Sequence, residues 1–245
     1  MEKFVIQGGT PLSGEITVAG NKNAALPILA ACLLTEEELV LTNVPRIRDV
    51  ETQIALLESL GVSAAWIGDN ELRLQADGVR ETAVDEALAA RIRASFLLAG
   101  PLLARFGEAR MPPPGGDTIG RRRLDPHLDA FIDMGARVSG DRWIEISAGG
   151  RLRPCGIFMD EPSVMATENA LLAASLTPGP TTIGNAACEP HVQDLARLLV
   201  KMGAGIDGIG SNVMTVHGRD KLGGAESSIQ TSPPTRAPRS RKASR

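Results

Sequence analysis

Several residue types are scarce in this chain, and each scarcity removes a class of function. It has three cysteines, Cys32, Cys155 and Cys188, widely separated and odd in number. That excludes a disulfide framework and a Cys-x-x-Cys metal site, and makes a reducing cytoplasm the expected compartment. Three histidines, His127, His191 and His217, are too few for a His-rich metal centre. No run approaches the roughly eighteen apolar residues of a membrane helix; the longest candidate, 25–34, contains Pro27. The opening Met1-Glu2-Lys3-Phe4 lacks the basic-then-apolar layout of a secretion signal. A net charge of −3 gives little support to generic nucleic-acid binding. Aromatic residues are 3% of the chain, with no tyrosine, which suits Ala- and Leu-rich helices that approach closely.

What is present is the composition of a soluble globular protein: 245 residues, 43% apolar and 22% charged. The charge is uneven. Residues 225–245 carry Arg236, Arg239, Arg241, Lys242 and Arg245 against the single acid Glu226, leaving 21 basic and 28 acidic side chains in 1–224. With Ile229 as its only large apolar residue, this Ser/Thr/Pro/Arg-rich tail is expected to be disordered. An RNA- or lipid-attracted arm is one reading of it, and an incidental tail after a truncation or frameshift is the plainer one.

The body repeats. Sliding the chain along itself superposes Asn43 on Asn185, Val50 on Val192, Leu56-Leu57 on Leu198-Leu199 and Gly61 on Gly203. A weaker middle copy has Gly135 in the place of Gly61. In the first copy the pattern predicts strands at 14–18, 38–41, 62–67 and 71–75, and helices at 24–34 and 50–60, with Pro27 tolerated near a helix start. The middle copy predicts helices at 94–105, broken near Gly100-Pro101, and at 124–134. Three units of strand, helix, strand, helix, strand, strand imply an α/β architecture. Segments 26–34, 96–103 and 170–176 are apolar all round, so these helices belong inside, with the sheets packed outside them.

Approximate threefold symmetry brings equivalent positions to one end. The first helix of each unit begins with Lys22-Asn23, with Arg93, and with Ser163-Val164. Helix N-termini present unpaired N–H groups and favour anions. Taken singly, Lys22 and Arg93 read as solvated bases and Ser163 as an N-cap; at three matched positions an anion site is the better reading. The second signal is the loop 111–125, Met-Pro-Pro-Pro-Gly-Gly-Asp-Thr-Ile-Gly-Arg-Arg-Arg-Leu-Asp. Its Gly115, Gly116 and Gly120 permit unusual backbone, and Arg121, Arg122 and Arg123 offer bidentate phosphate binding within an acidic body.

Together, Gly20-Asn-Lys-Asn-Ala-Ala-Leu-Pro-Ile-Leu29, Arg93-Ala-Ser, Pro114-Gly-Gly-Asp-Thr-Ile-Gly120, Arg122, Asp125, Pro162-Ser-Val-Met-Ala-Thr-Glu-Asn-Ala170 and Asn185-Ala-Ala-Cys-Glu-Pro190 resemble the enolpyruvyl transferase family. The closer likeness is to its branch that uses UDP-N-acetylglucosamine, at the first committed step of peptidoglycan synthesis. The resemblance implies an inside-out α/β barrel of two domains. Residues 1–20 would be strands belonging to the second domain, 21–224 the first domain of three repeats, and 225–245 a basic tail, with the second domain largely missing.

The implied reaction transfers enolpyruvyl from phosphoenolpyruvate to the 3′-hydroxyl of UDP-N-acetylglucosamine, releasing phosphate through a tetrahedral intermediate, with no metal or cofactor. By the same resemblance Lys22 and Asn23 contact phosphoenolpyruvate. Arg93, Arg122, Arg123, Leu124, Asp125, Pro126, Glu161, Pro162, Ser163 and Val164 line the nucleotide-sugar site, and Arg122 also reaches the phosphate. Glu161 stands where the family often has a base. Asp117 replaces the family's usual cysteine as general acid toward the phosphoenolpyruvate methylene carbon, which requires its pKa to rise from the ordinary value of about 3.9. The family's aspartate base belongs to the absent half, so a separate C-terminal half is the expected partner. The alternatives are a half-enzyme that binds nucleotide sugar without turnover, a shikimate-pathway transferase, and a basic-tailed adaptor. The shikimate branch usually has Ser-Lys where this chain has Asn21-Lys22.

Overall fold

The computed structural model describes residues 3–9, 14–116 and 122–231. In chain order the elements are α1 (Lys22–Ala30), a 3-10 turn (Ala31–Leu34), β1 (Leu39–Thr42), α2 (Arg48–Ser59), β2 (Ser63–Gly68) and β3 (Glu71–Gln75). Then come α3 (Glu86–Ala89), a 3-10 helix (Arg93–Leu98), α4 (Ala99–Phe106), β4 (Glu108–Met111), α5 (Asp125–Asp133), β5 (Arg137–Ser139) and β6 (Ile144–Ser147). The last unit is β7 (Gly156–Phe158), α6 (Val164–Ser175), β8 (Gly179–Gly184), α7 (Pro190–Lys201), β9 (Gly205–Asp207) and β10 (Val213–Gly218), followed by β11 (Ala225–Ser228).

The apolar first helices lie inside, as their composition predicts. Every residue from Ala24 to Ala30 of α1 and from Ala166 to Ser175 of α6 is buried. The second helices α2, α5 and α7 are amphipathic and cover the flanks. Their following glycines, Gly61, Gly135 and Gly203, all take positive φ (104°, 94° and 112°), which ends each helix in the same turn. The strands form three outer sheets, ordered β11-β1-β3-β2, β4-β6-β5 and β7-β8-β10-β9. Leu72 and Leu74 face inward while Glu71 and Arg73 face water, the alternation of a half-buried strand. Among the described residues, no helix is long and apolar enough to cross a membrane.

Two local expectations shift. Pro27 sits in the second turn of α1, not at its start, so Asn23 receives no N–H from position 27. The middle helix breaks one residue before Gly100, where 3-10 gives way to α at Ala99, and Pro101 falls in the first turn of α4, where no N–H is needed.

The larger correction concerns the opening strand. Residues 14–18 form no ladder here; Ile16 and Val18 are 84% and 57% exposed, and Phe4, Val5 and Ile6 are nearly fully so. Alternation alone does not make a strand, and the edge of β1 opposite β3 is already filled. The edge is taken by β11, which runs parallel to β1, just as β7 runs parallel to β8. The match extends to the ends. Ile229 N–H donates to Thr42 C=O as Met159 N–H does to Gly184 C=O. Asn43 and Asn185, both in left-handed conformation (φ 55° and 54°), donate from Nδ2 to the carbonyls of Ile229 and Met159. Residues 225–229 are therefore part of the barrel, not of a disordered tail. Ile229 is 1% exposed, and that burial supplies the hydrophobic hold the segment's composition otherwise lacks. Residues 232–245 lie outside the described residues. Asn21 N–H donates to Gln230 C=O at 2.9 Å, so the chain leaves the barrel beside the point where it entered.

Candidate active site

The three first-helix N-termini do converge. Lys22, Arg93 and Arg122 line one compartment of about 180 Å³, with Asn23, Asp49 and Met165. An adjoining compartment of about 300 Å³ is lined by Arg93, Arg122, Arg123, Glu161, Pro162, Ser163 and Val164, and by His127. A third, also about 300 Å³, reaches inward past Asn23, Arg122, Val164 and Met165 to Glu168 and His191. Leu124, Asp125 and Pro126 are not among the lining residues. They begin α5, where Pro126 is buried and Asp125 pairs with Arg123 at 3.2 Å. Asp117 and Arg121 lie outside the described residues.

The local structure explains the convergence. Asn21 caps α1, its side chain accepting from Asn23 N–H at 2.8 Å, and Ser163 caps α6 by accepting from Ala166 N–H at 3.4 Å. Both caps hold a helix start open toward the cleft. Gly115 is a glycine for want of room: a Cβ there would lie 1.8 Å from the carbonyl oxygen of Ala90. Its N–H donates to Ala89 C=O at 3.0 Å, so the glycine-rich loop leaves directly from the stretch that starts the Arg93 helix. At the loop's far end the Arg93 guanidinium donates to the carbonyls of Arg122 and Arg123, at 2.8 and 3.2 Å. Ala89 and Arg93 thus hold the described residues on either side of 117–121.

The charges are specific in their pairing. Lys22 is held by Asp49 at 2.8 Å. Arg123 bridges Asp125 and Asp160, tying the loop to the segment before α6. Burial, then the neighbouring Arg122, lowers the Arg93 pKa from its ordinary value. His127 is pushed down to about 3, by burial first and by Arg93 second, and is therefore neutral. Gly100 N–H fixes Asn169 Oδ1 at 2.9 Å, so Asn169 Nδ2 faces His127 Nδ1 at 2.8 Å and the ring proton resides on Nε2. A preformed, cation-lined cleft with two capped helix starts suits a polyanionic ligand.

Sequence reasoning placed Lys22, Asn23, Arg93, Arg122, Arg123 and the 161–163 segment with Val164 around this cleft. It missed Asp49, Arg91, His127, Met165, Glu168 and His191. For Glu168 a signal existed, a lone acid in the otherwise apolar run of α6. For Asp49 there was none, because its pairing with Lys22 spans two helices.

A family model described as EPSP synthase (3-phosphoshikimate 1-carboxyvinyltransferase) matches residues 6–232. UDP-N-acetylglucosamine 1-carboxyvinyltransferase from Bradyrhizobium diazoefficiens is 54% identical over 228 residues, covering 93% of this chain and 53% of that protein. The same-named protein of Treponema denticola is 52% identical, covering 94% of this chain and 54% of its own length. The crystal structure of the enolpyruvyl transferase NikO from Streptomyces tendae is 25% identical, with a TM-score of 0.78 over 93% of this chain and 54% of that one. EPSP synthase from Acinetobacter baumannii, 20% identical with a TM-score of 0.71, shares the fold. The chain spans about half the length of the curated relatives it matches.

Proposed function

Since the chain belongs to the EPSP synthase family of enolpyruvyl transferases, we propose that its cleft is the anion-binding half of a site that transfers enolpyruvyl from phosphoenolpyruvate to the 3′-hydroxyl of UDP-N-acetylglucosamine. The observation that carries this reading is the sharing of one compartment by Lys22, Arg93 and Arg122. Both reactants are polyanions, and three cations, Lys22 from the first repeat unit and Arg93 and Arg122 from the second, can grip them at one rim.

In the proposed reaction the acceptor hydroxyl gives its proton to a base, by resemblance the aspartate of the family's second domain, as its oxygen bonds to C2 of phosphoenolpyruvate and a proton is added at C3. Loss of a C3 proton and of inorganic phosphate then restores the vinyl group. Lys22 and Asn23 hold phosphoenolpyruvate; Arg93, Arg122, Arg123 and Glu161–Val164 hold the nucleotide sugar, with Leu124, Asp125 and Pro126 behind them at the start of α5. Arg122, which faces all three compartments, also reaches the phosphate. By the same resemblance Asp117 supplies the C3 proton, as general acid in place of the family's cysteine. A thiol is absent at that position, so fosfomycin should form no covalent adduct there; mass spectrometry of the treated protein checks this, and an adduct on the 115–121 peptide would contradict the assignment.

The alternative reading is capture of nucleotide sugar without turnover. Calorimetry with UDP-N-acetylglucosamine, paired with a phosphate-release assay of the chain alone and with a separately expressed C-terminal half, separates the two. Binding with no release in either mixture supports capture alone. Release that appears on adding the half supports the transferase. No binding of either reactant overturns both.

A further inference from the structure

Helix α6 buries four polar side chains among its apolar ones: Thr167, Glu168, Asn169 and Ser175. Three are fully occupied. Thr167 Oγ1 donates to Ser163 C=O and accepts from Ala187 N–H. Asn169 joins Phe96, Gly100 and His127. Ser175 donates to Leu171 C=O. Glu168 is the exception. It is 2% exposed, and its Oε1 is sealed from solvent with no hydrogen-bond partner among the described residues. Its side chain faces the inner compartment of about 300 Å³, whose walls include Leu26, Leu97 and Met165.

A buried polar atom left unmet destabilises the fold, and native structures keep few of them without a use. Burial first, and the like charge of Glu189 second, hold this carboxyl neutral well above the ordinary carboxylate range. His191 and Arg122 line the same compartment, while α1 and the 3-10 helix 93–98 bring to it Asn23 and apolar residues. Lys22 and Arg93 line the adjoining one. A neutral carboxyl is an O–H donor as well as an acceptor.

We propose that Glu168 is a ligand-binding residue: from the base of this compartment its carboxyl donates a hydrogen bond to a carbonyl-type oxygen of a substrate whose small apolar flank packs on Leu26, Leu97 and Met165. This rests on the reading of the cleft given above. Two groups on the proposed reactants have that chemistry, the acetamido group of UDP-N-acetylglucosamine and the carboxylated vinyl end of phosphoenolpyruvate.

The test is calorimetric titration of wild type, Glu168→Gln and Glu168→Leu with UDP-N-acetylglucosamine, with UDP-glucose, which lacks the acyl group, and with phosphoenolpyruvate. Glu168→Leu should weaken binding of one reactant about tenfold, the worth of one buried hydrogen bond, with Glu168→Gln intermediate because its amide still donates. Loss confined to UDP-N-acetylglucosamine and absent with UDP-glucose identifies the acyl group. Loss confined to phosphoenolpyruvate identifies the vinyl carboxylate. Wild-type affinity should also decline as pH rises through the raised pKa of Glu168, and the Glu168→Gln profile should lack that decline. Infrared difference spectra should show a protonated-carboxyl stretch that shifts on ligand binding and vanishes in Glu168→Gln. Wild type that binds both reactants, with Glu168→Leu unimpaired for each, overturns the inference and leaves the function standing. Wild type that binds neither overturns the function, and this inference with it.

Discussion

Gln53 is 0% exposed in α2, and neither its Nε2 nor its Oε1 has a partner among the described residues. The repeat supplies a control inside the same molecule, because the corresponding position of the third unit is Leu195, also 0% exposed. Replacing Gln53 by leucine exchanges an unmet amide for an apolar group of similar volume. Removing the desolvation cost of that amide is worth about 1–3 kcal/mol, which in a protein of this size raises Tm by about 2–10 °C. Urea unfolding of wild type and Gln53→Leu measures it: the midpoint should rise with the slope m unchanged, which marks a stability effect and not a change in denatured-state compactness. Leu195→Gln should fall by a similar amount. An unchanged or lowered midpoint for Gln53→Leu would refute the reasoning, since it would mean that the amide is met in solution.

Three further outcomes follow from the same geometry. Asn43→Ala and Asn185→Ala each place a Cβ-bearing residue without a local hydrogen bond in left-handed backbone. Each should cost about 1–2 kcal/mol by denaturant titration, with glycine at the same site costing less. Arg105 donates to the carbonyls of Leu33, Thr35 and Ala76 at 3.0–3.1 Å, so Arg105→Met should lower stability by about 2–4 kcal/mol, read as a drop in thermal midpoint. Stability should also depend on pH in two opposed ways. The unfolded chain protonates His127 near 6.5 while the folded chain holds it near 3, so its contribution is present above 6.5 and erodes as pH falls toward 3. Glu168 starts from 4.5 and is raised by folding, so its contribution is present below 4.5 and erodes as pH rises. His127→Gln should flatten the acid limb and Glu168→Gln the alkaline one in melts run across pH.

The helices and most strands were legible because their signals are local. The strand expected at 71–75 is β3 residue for residue, and α2 begins two residues before and ends one residue before the expected 50–60 helix. The apolar-all-round segments were enough to place helices inside and sheets outside. What failed was the pairing between distant segments. Residues 14–18 alternate better than Ala-Glu-Ser-Ser, yet the latter closes the first sheet. Periodicity reports that a segment can be a strand, and says nothing about which edge is open to it. The site was legible to the extent that it repeats. Lys22, Arg93 and Ser163 hold matched positions, whereas Asp49, His127 and Asp160 enter through pairings that no spacing encodes. Glu161 lines the cleft as the resemblance implied, although its acidic side chain brings no positive charge there.

The barrel closes on itself through β11, and Asn21 and Gln230 are bonded neighbours. The order of the three units along the polypeptide is therefore a convention of where the thread was cut. Joining residue 230 to residue 21 and opening new ends at the exposed 140–142 turn would give a rearranged chain with the same sheets. In that chain β11 would lead straight into α1, as β7 already leads into α6.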